Sequence, residues 1–194
     1  MPLPLVLASS SPRRRTLLAE AGVRFELAAV EVDESARPGE SPEALTRRLA
    51  AAKARAAASA LGALPARVVL GADTLVVLDE AVLGKPRDAA EAVSHLSRLL
   101  GRTHRVLTAV ALVRTDAPIF CERLVESRVT LRGASEQEIR DYVASGEPLD
   151  KAGAYALQGE GRRFVEKIAG SESNVIGLPL QETLAALREI GVEA

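Results

Sequence analysis

The chain has one cysteine, Cys121, no tryptophan, two histidines, and aromatic side chains at only 3% of its positions. A single cysteine excludes an internal disulfide and a multi-cysteine metal site, and it suits a reducing cytoplasm. So few aromatics argue against a platform on which nucleic-acid bases stack. The formal net charge is -1 over 194 residues, so no global field draws the chain to nucleic acid or to a membrane. Any cationic site must be local. No apolar run is long enough to span a bilayer. Met1 to Ala8 is too short for a secretory apolar region and has no basic start. The Walker A loop, the Gly-x-Gly-x-x-Gly fingerprint and the Gly-x-Ser-x-Gly elbow are all missing. With only His95 and His104 on hand, a histidine-activated nucleophile finds little support.

What is present is an alternation of apolar runs and helical patterns in a chain of a size for one domain, 1–194, with two lobes. Leu3–Ala8 and Phe25–Val30 read as strands. A helix opens at Pro12 and closes at Gly22, and a longer one runs from Ser41-Pro42-Glu43 to Leu61, before Gly62. Val68–Ala72 reads as a short buried strand, continued by Leu75–Leu78 up to a turn at Asp79-Glu80. Asp88 with Glu91, and Ser135 with Glu138, resemble capping boxes that open helices to Leu100 and Ala144. His104–Arg114 and Phe120–Leu131 are long strands flanking Thr115-Asp116-Ala117-Pro118, the pattern of a hairpin. Ala154–Leu157 and Phe164–Ile168 read as short strands, and a last helix runs from Pro179 to near Gly191. Alternation says α/β, and the hairpin says that the sheet is mixed.

The densest chemistry lies in Ser9-Ser10-Ser11-Pro12-Arg13-Arg14-Arg15. A turn of small hydroxyl residues between strand and helix points backbone N–H groups outward at the positive end of the helix dipole. Cations there oppose that dipole, so three arginines without a partner call for an external anion such as a polyphosphate. A capped helix with a solvated basic first turn is the plainer alternative. Asp73, in Gly71-Ala72-Asp73-Thr74, follows a strand at a place where α/β folds hold ligands; it can take a proton from water or hold a metal, or it is a turn aspartate. Lys85 in Gly84-Lys85-Pro86 and Lys53 in the Ala-rich helix are point charges for phosphate, or solvated cations. Glu31, Asp33 and Glu34 suit a hard divalent cation or a solvated loop. Gln158, in Gln158-Gly159-Glu160-Gly161, carries both a donor and an acceptor, fit for a base edge or for water. Phosphate-binding features without the usual nucleotide loops point to metal-assisted phosphoanhydride hydrolysis.

Taken in order, Ala8-Ser9-Ser10-Ser11-Pro12-Arg13-Arg14, Lys53-Ala54-Arg55, Ala72-Asp73-Thr74, Gly84-Lys85-Pro86, Gly101-Arg102-Thr103-His104, Glu147 to Tyr155, Gln158-Gly159 and Gly177-Leu178-Pro179 resemble the Maf family of nucleotide pyrophosphatases, also called septum formation inhibitor Maf proteins. The resemblance spans Leu5 to about Leu187. It implies a mixed α/β fold with two lobes around a cleft, similar to the inosine triphosphate pyrophosphatase fold. It implies cleavage of a nucleoside triphosphate between the α and β phosphates with a divalent metal, Mg2+ or Mn2+. Asp73 would be the proton acceptor, Lys53 and Lys85 catalytic cations on the phosphates, and Ser9, Arg13 and Arg14 further phosphate contacts. Glu34 would join Asp73 as metal or water ligand. Arg13, Thr74 and Gln158 match the branch acting on dTTP and UTP. The branch acting on 7-methyl-GTP carries Gln after the Asp and Glu in the later loop. Other preferences (CTP, modified pyrimidines) and a nucleotide-sensing regulator of cell division without turnover are the rival expectations. The implied protein is cytoplasmic, binds neither nucleic acid nor membrane, and is allowed a homodimer. One departure is Glu172, which stands where related members often carry an aromatic.

Overall fold

A computed structural model describes residues 3–117 and 120–193. The elements are β1 (Leu5–Ala8), α1 (Pro12–Glu20), β2 (Phe25–Leu27), α2 (Pro42–Leu61), β3 (Val68–Leu78), β4 (Ala81–Leu83), α3 (Ala89–Leu99), β5 (Thr103–Arg114), β6 (Phe120–Leu131), α4 (Glu136–Ala144), β7 (Val165–Ala169), α5 (Glu172–Ile176) and α6 (Leu180–Glu189). Three 3-10 turns, Glu147–Asp150, Ala152–Ala154 and Glu160–Phe164, fill the stretch between α4 and β7. The strands form a seven-stranded sheet in the order β2-β1-β3-β5-β6-β7, with β4 paired to β3. β1 is parallel to β2 and β3, whereas β4 is antiparallel to β3 and β7 to β6. The mixed α/β sheet expected from the sequence is thus borne out.

Local chemistry explains the boundaries. Ser41 accepts a hydrogen bond from the Ala44 N–H at the start of α2, Pro42 takes the first position, and Gly62 ends the helix with φ of 75°. Ser135 and Glu138 form a complete capping box. At α3 the Asp88 side chain caps the Glu91 N–H, but the Glu91 carboxylate turns to the Arg87 N–H and guanidinium, so the expected box is only half made. Asp79 and Glu80 both have positive φ, as a two-residue hairpin turn requires, and they join β3 to β4, a strand too short to be legible in sequence.

Three expectations need correction. Val68–Leu78 is one unbroken strand, so Asp73 lies inside β3 and not after it. Ala154–Leu157 is not a strand. Gly153 and Ala154 both adopt left-handed φ, and the Ala156 N–H donates to the Tyr142 hydroxyl where a strand would bond a neighbour. The run is apolar because it is buried, not because it is extended. β2 stops at Leu27, and α5 went unseen. Pro118 of the expected turn lies outside the described residues.

The chain divides into two compact units. The first takes the described parts of Met1–Asp73, Thr108–Val125 and Gly177–Ala194. Its core sets Ala50, Ala51, Ala54 and Ala57 of α2 against Val6, Ala8, Val69, Ala109 and Ala111. Small side chains on both sides let helix and sheet approach closely. The second unit, Thr74–Leu107 and Glu126–Ile176, packs α3 and α4 through Leu96, Leu99, Ile139 and Tyr142 onto Val76, Leu78, Val106, Val129 and Leu131. Among the described residues no helix is long and apolar enough to cross a membrane.

Candidate active site

In the first unit, β1 and β3 run parallel with Ala8 opposite Gly71. Ser9, just past β1, and Asp73, two residues past Gly71, therefore come from neighbouring stretches of backbone at the same end of the parallel pair. Alternation along β3 puts Asp73 on the same face as Gly71. That face meets α2 at contact distance. A Cβ built on Gly71 would lie 2.3 Å from the Ala50 carbonyl oxygen and 2.6 Å from the Ala54 nitrogen. Lys53, beside Ala54 on the helix, is thereby delivered to Asp73.

The Lys53 ammonium lies 2.7 Å from Asp73 Oδ1 and 2.6 Å from Glu34 Oε1. Asp73 is only 6% exposed, and its Oδ2 is buried with no hydrogen-bond partner among the described residues. Burial pushes the Asp73 carboxyl above its ordinary value; the Lys53 and Arg14 charges pull against this, and Glu34 adds to it. A carboxylate held in this state is a better base than a solvated one.

Arg14 stands in the same electrostatic cluster. Burial lowers its guanidinium from the usual range, with Asp73 opposing, Arg13 reinforcing and Glu34 opposing. The sequence predicts arginines awaiting an external anion, but Arg14 already donates to the Gly177 carbonyl at 2.8 Å and to Ser9 Oγ at 3.1 Å. It ties the start of α1 to the loop before α6. Ser11 occupies the N-cap position, yet its hydroxyl makes no cap bond; its N–H donates instead to Ser9 Oγ. Arg15 is exposed. Asp33 of the acidic loop accepts from the Ser35 N–H and hydroxyl, which leaves Glu34 as the carboxylate that reaches Lys53.

The structure therefore brings Ser9, Arg14, Glu34, Lys53 and Asp73 into one cluster, with Arg13 coupled to it by charge. Thr74, Lys85 and Gln158 belong to the second unit. Thr74 is half-buried within β3, and Lys85 and Gln158 are exposed on loops. Those loops are linked, since the Gly153 N–H donates to the Gly84 carbonyl at 3.1 Å. Among the described residues no group of three or more His, Cys, Asp or Glu side chains could hold a metal by itself. The buried, unpartnered Oδ2 of Asp73 and the nearby Glu34 nonetheless form a hard-oxygen pair that fits a divalent cation whose other positions go to water and substrate oxygens.

Sequence reading overlooked Glu147. Its Oε1 accepts from the Tyr142 hydroxyl at 2.8 Å and the Gly161 N–H at 3.0 Å, and its Oε2 from the Glu160 N–H at 2.9 Å. Burial would raise its carboxyl, but these bonds outweigh burial and hold it below the ordinary value. The only signal was its place in a motif rich in turn residues.

Residues 4–190 match the family model described as Maf-like protein. The chain is 49% identical over 184 residues to a dTTP/UTP pyrophosphatase of Desulfotalea psychrophila, covering 95% of this chain and 93% of that one. It is 51% identical over 188 residues to a dTTP/UTP pyrophosphatase of Myxococcus xanthus, covering 97% and 93%. Among solved structures it is similar to a nucleoside-triphosphatase / dITP/XTP pyrophosphatase of Mycobacterium abscessus, with a TM-score of 0.47 and 19% identity over 97% of this chain and 96% of that one.

Proposed function

The chain belongs to the Maf-like protein family, and on that premise we propose that it hydrolyses dTTP and UTP to the nucleoside monophosphate and pyrophosphate. The observation that carries the mechanism is the state of Asp73. Lys53 donates to Oδ1, while Oδ2 is buried and unpartnered among the described residues, and burial raises the basicity of the carboxylate. Oδ2 is then the atom that takes a proton from the water attacking the α phosphorus, as the bond to the β phosphate breaks and pyrophosphate leaves. The N-terminus of α1, with Ser9, Arg13 and Arg14, holds triphosphate oxygens. Arg14, anchored on Gly177, keeps the Ser9 hydroxyl in place. Lys53 and Lys85 offset charge on the leaving pyrophosphate, where electrostatic stabilisation counts most. Asp73 and Glu34 would hold the divalent cation, Mg2+ or Mn2+, which when bound neutralises charge on the triphosphate. Arg13, Thr74 and Gln158 set the preference for a pyrimidine. The Gln158 amide offers a donor to O4 and an acceptor to N3–H of uracil or thymine, a pattern that the amino group and ring nitrogen of cytosine or adenine reverse.

A panel of dTTP, UTP, CTP, ATP and 7-methyl-GTP, assayed for pyrophosphate release with and without magnesium, tests this reading. Release should be fastest with dTTP and UTP and should need the metal. Asp73→Asn keeps the size but cannot take the proton, so it should lose about 10²–10⁴-fold in turnover while its circular dichroism stays unchanged. Equal rates on ATP or 7-methyl-GTP would overturn the substrate assignment. A folded Asp73→Asn protein with near-normal turnover would remove Asp73 as the base, and UTP binding without turnover would favour the nucleotide-sensing rival.

A further inference from the structure

The loop that carries Gln158 is suspended from two side chains. Ahead of Gln158, the Ala156 N–H donates to the Tyr142 hydroxyl at 3.2 Å. Beyond it, the Glu160 and Gly161 N–H groups donate to the two oxygens of Glu147. The Tyr142 hydroxyl in turn donates to Glu147 Oε1 at 2.8 Å, so both ends of the loop converge on one carboxylate. The fit admits no side chain where the loop touches it. A Cβ on Gly159, whose φ is 121°, would lie 2.4 Å from Glu147 Oε2, and one on Gly161 would lie 2.4 Å from the Tyr142 hydroxyl. The clamp is anchored as well. Tyr142 is fully buried, edge-on to Phe164 with ring centroids 5.3 Å apart, and the Glu147 carbonyl accepts from the Lys151 ammonium at 2.9 Å.

We propose that Glu147 is a positioning residue for base selection: through Tyr142 and the Glu160 and Gly161 N–H groups it fixes the backbone on both sides of Gln158, and so sets where the Gln158 amide meets the base. The proposal rests on the reading of Gln158 as the residue that recognises the pyrimidine. The chemistry asks for a carboxylate. Three donors converge on two oxygens, and an amide offers a single acceptor, so in either orientation of Gln at least one N–H group would face another. Aspartate keeps both acceptors but falls a methylene short.

The test compares wild type, Glu147→Gln, Tyr142→Phe, Gln158→Ala and the double variant Glu147→Gln/Gln158→Ala on UTP and CTP, whose amino group and ring nitrogen reverse the uracil edge. In Glu147→Gln the ratio of kcat/KM for UTP to that for CTP should fall about 5–10-fold, the scale of one lost hydrogen bond. The fall should come through KM for UTP, with kcat kept within about threefold. Tyr142→Phe keeps the ring and should move the ratio the same way, which preserves the test if Glu147→Gln does not fold. In the double variant the ratio should fall no further than in Gln158→Ala alone, because Glu147 acts through Gln158. Equal losses on both nucleotides, or an additive fall in the double variant, would reduce Glu147 to a structural role and overturn the proposal. If Gln158→Ala lowers the ratio while Glu147→Gln and Tyr142→Phe leave it unchanged, only this inference fails. If Gln158→Ala itself leaves the ratio unchanged, the base-reading assignment fails and the proposal with it.

Discussion

His104 is a buried imidazole that the folded protein keeps neutral. Its Nε2 lies 2.8 Å from the Tyr155 hydroxyl, the rings meet edge to face, and Nδ1 is buried without a partner among the described residues. Burial lowers its pKa from 6.5 to about 4. The unfolded chain takes up this proton below pH 6.5 while the folded chain resists it, so the contribution is whole above that pH and is lost as pH falls toward 4. Fully expressed, the difference is worth about 3 kcal/mol. Denaturation midpoints followed from pH 7.5 to 4.5 should therefore drop more steeply for wild type than for His104→Phe, whose deficit at neutral pH should narrow in acid. Parallel curves would assign the acid sensitivity to another group. Asp73 has the opposite sign. Its carboxyl is raised by burial, so its ionisation costs stability as pH climbs past the ordinary value of 3.8, while that same ionisation supplies the basic oxygen of the site. Both residues were visible in the sequence as titratable groups beside strands. Their states were not, because burial and orphaned atoms are properties of packing.

At the scale of elements, the site depends on how closely α2 lies on β3. Gly71 is the contact point, and a methyl group there would press on backbone atoms of Ala50 and Ala54, which cannot rotate away. Gly71→Ala should displace the helix, lower stability by about 1–3 kcal/mol and so reduce Tm by several degrees. Because Lys53 rides on the same helix, kcat/KM should fall as well, although Gly71 touches no substrate. An unchanged Tm and unchanged activity would show that the contact is not constraining. α2 itself was legible nearly to the residue, since a Ser-Pro start, an Ala-rich interior and a terminal Gly act within a few residues of each other. The Ala154–Leu157 segment was misjudged for the complementary reason: an apolar run has the same appearance whether a sheet or a polar side chain from elsewhere, here Tyr142, holds its backbone.

For the whole molecule, a net charge of -1 supplies no global cationic field and 3% aromatics supply few rings for stacking, so anion binding is expected at local clusters. Fluorescence anisotropy with a labelled single-stranded oligonucleotide at 150 mM salt should show no saturable binding. A nonhydrolysable UTP analogue, under the same conditions, should raise Tm. Saturable oligonucleotide binding would contradict the expectation that the chain does not engage nucleic acid.

By itself the sequence determined the alternation of strands and helices, the mixed sheet, the caps of α2 and α4 and the residue types of the site. Each of these follows from hydrophobic period, turn chemistry or side-chain character within a short window. It marked Ser9, Arg13, Arg14, Glu34, Lys53, Asp73, Thr74, Lys85 and Gln158 as candidates, but not their contacts. Only the tertiary structure decided that Lys53 bridges Asp73 and Glu34, that Arg14 is spent partly on Gly177, and that Glu147 carries the Gln158 loop. The first two join residues up to 163 positions apart and exist only once the register of β1 on β3 and the approach of α2 have been set by packing; the third depends on the loop after α4 folding back on Tyr142 and Glu147.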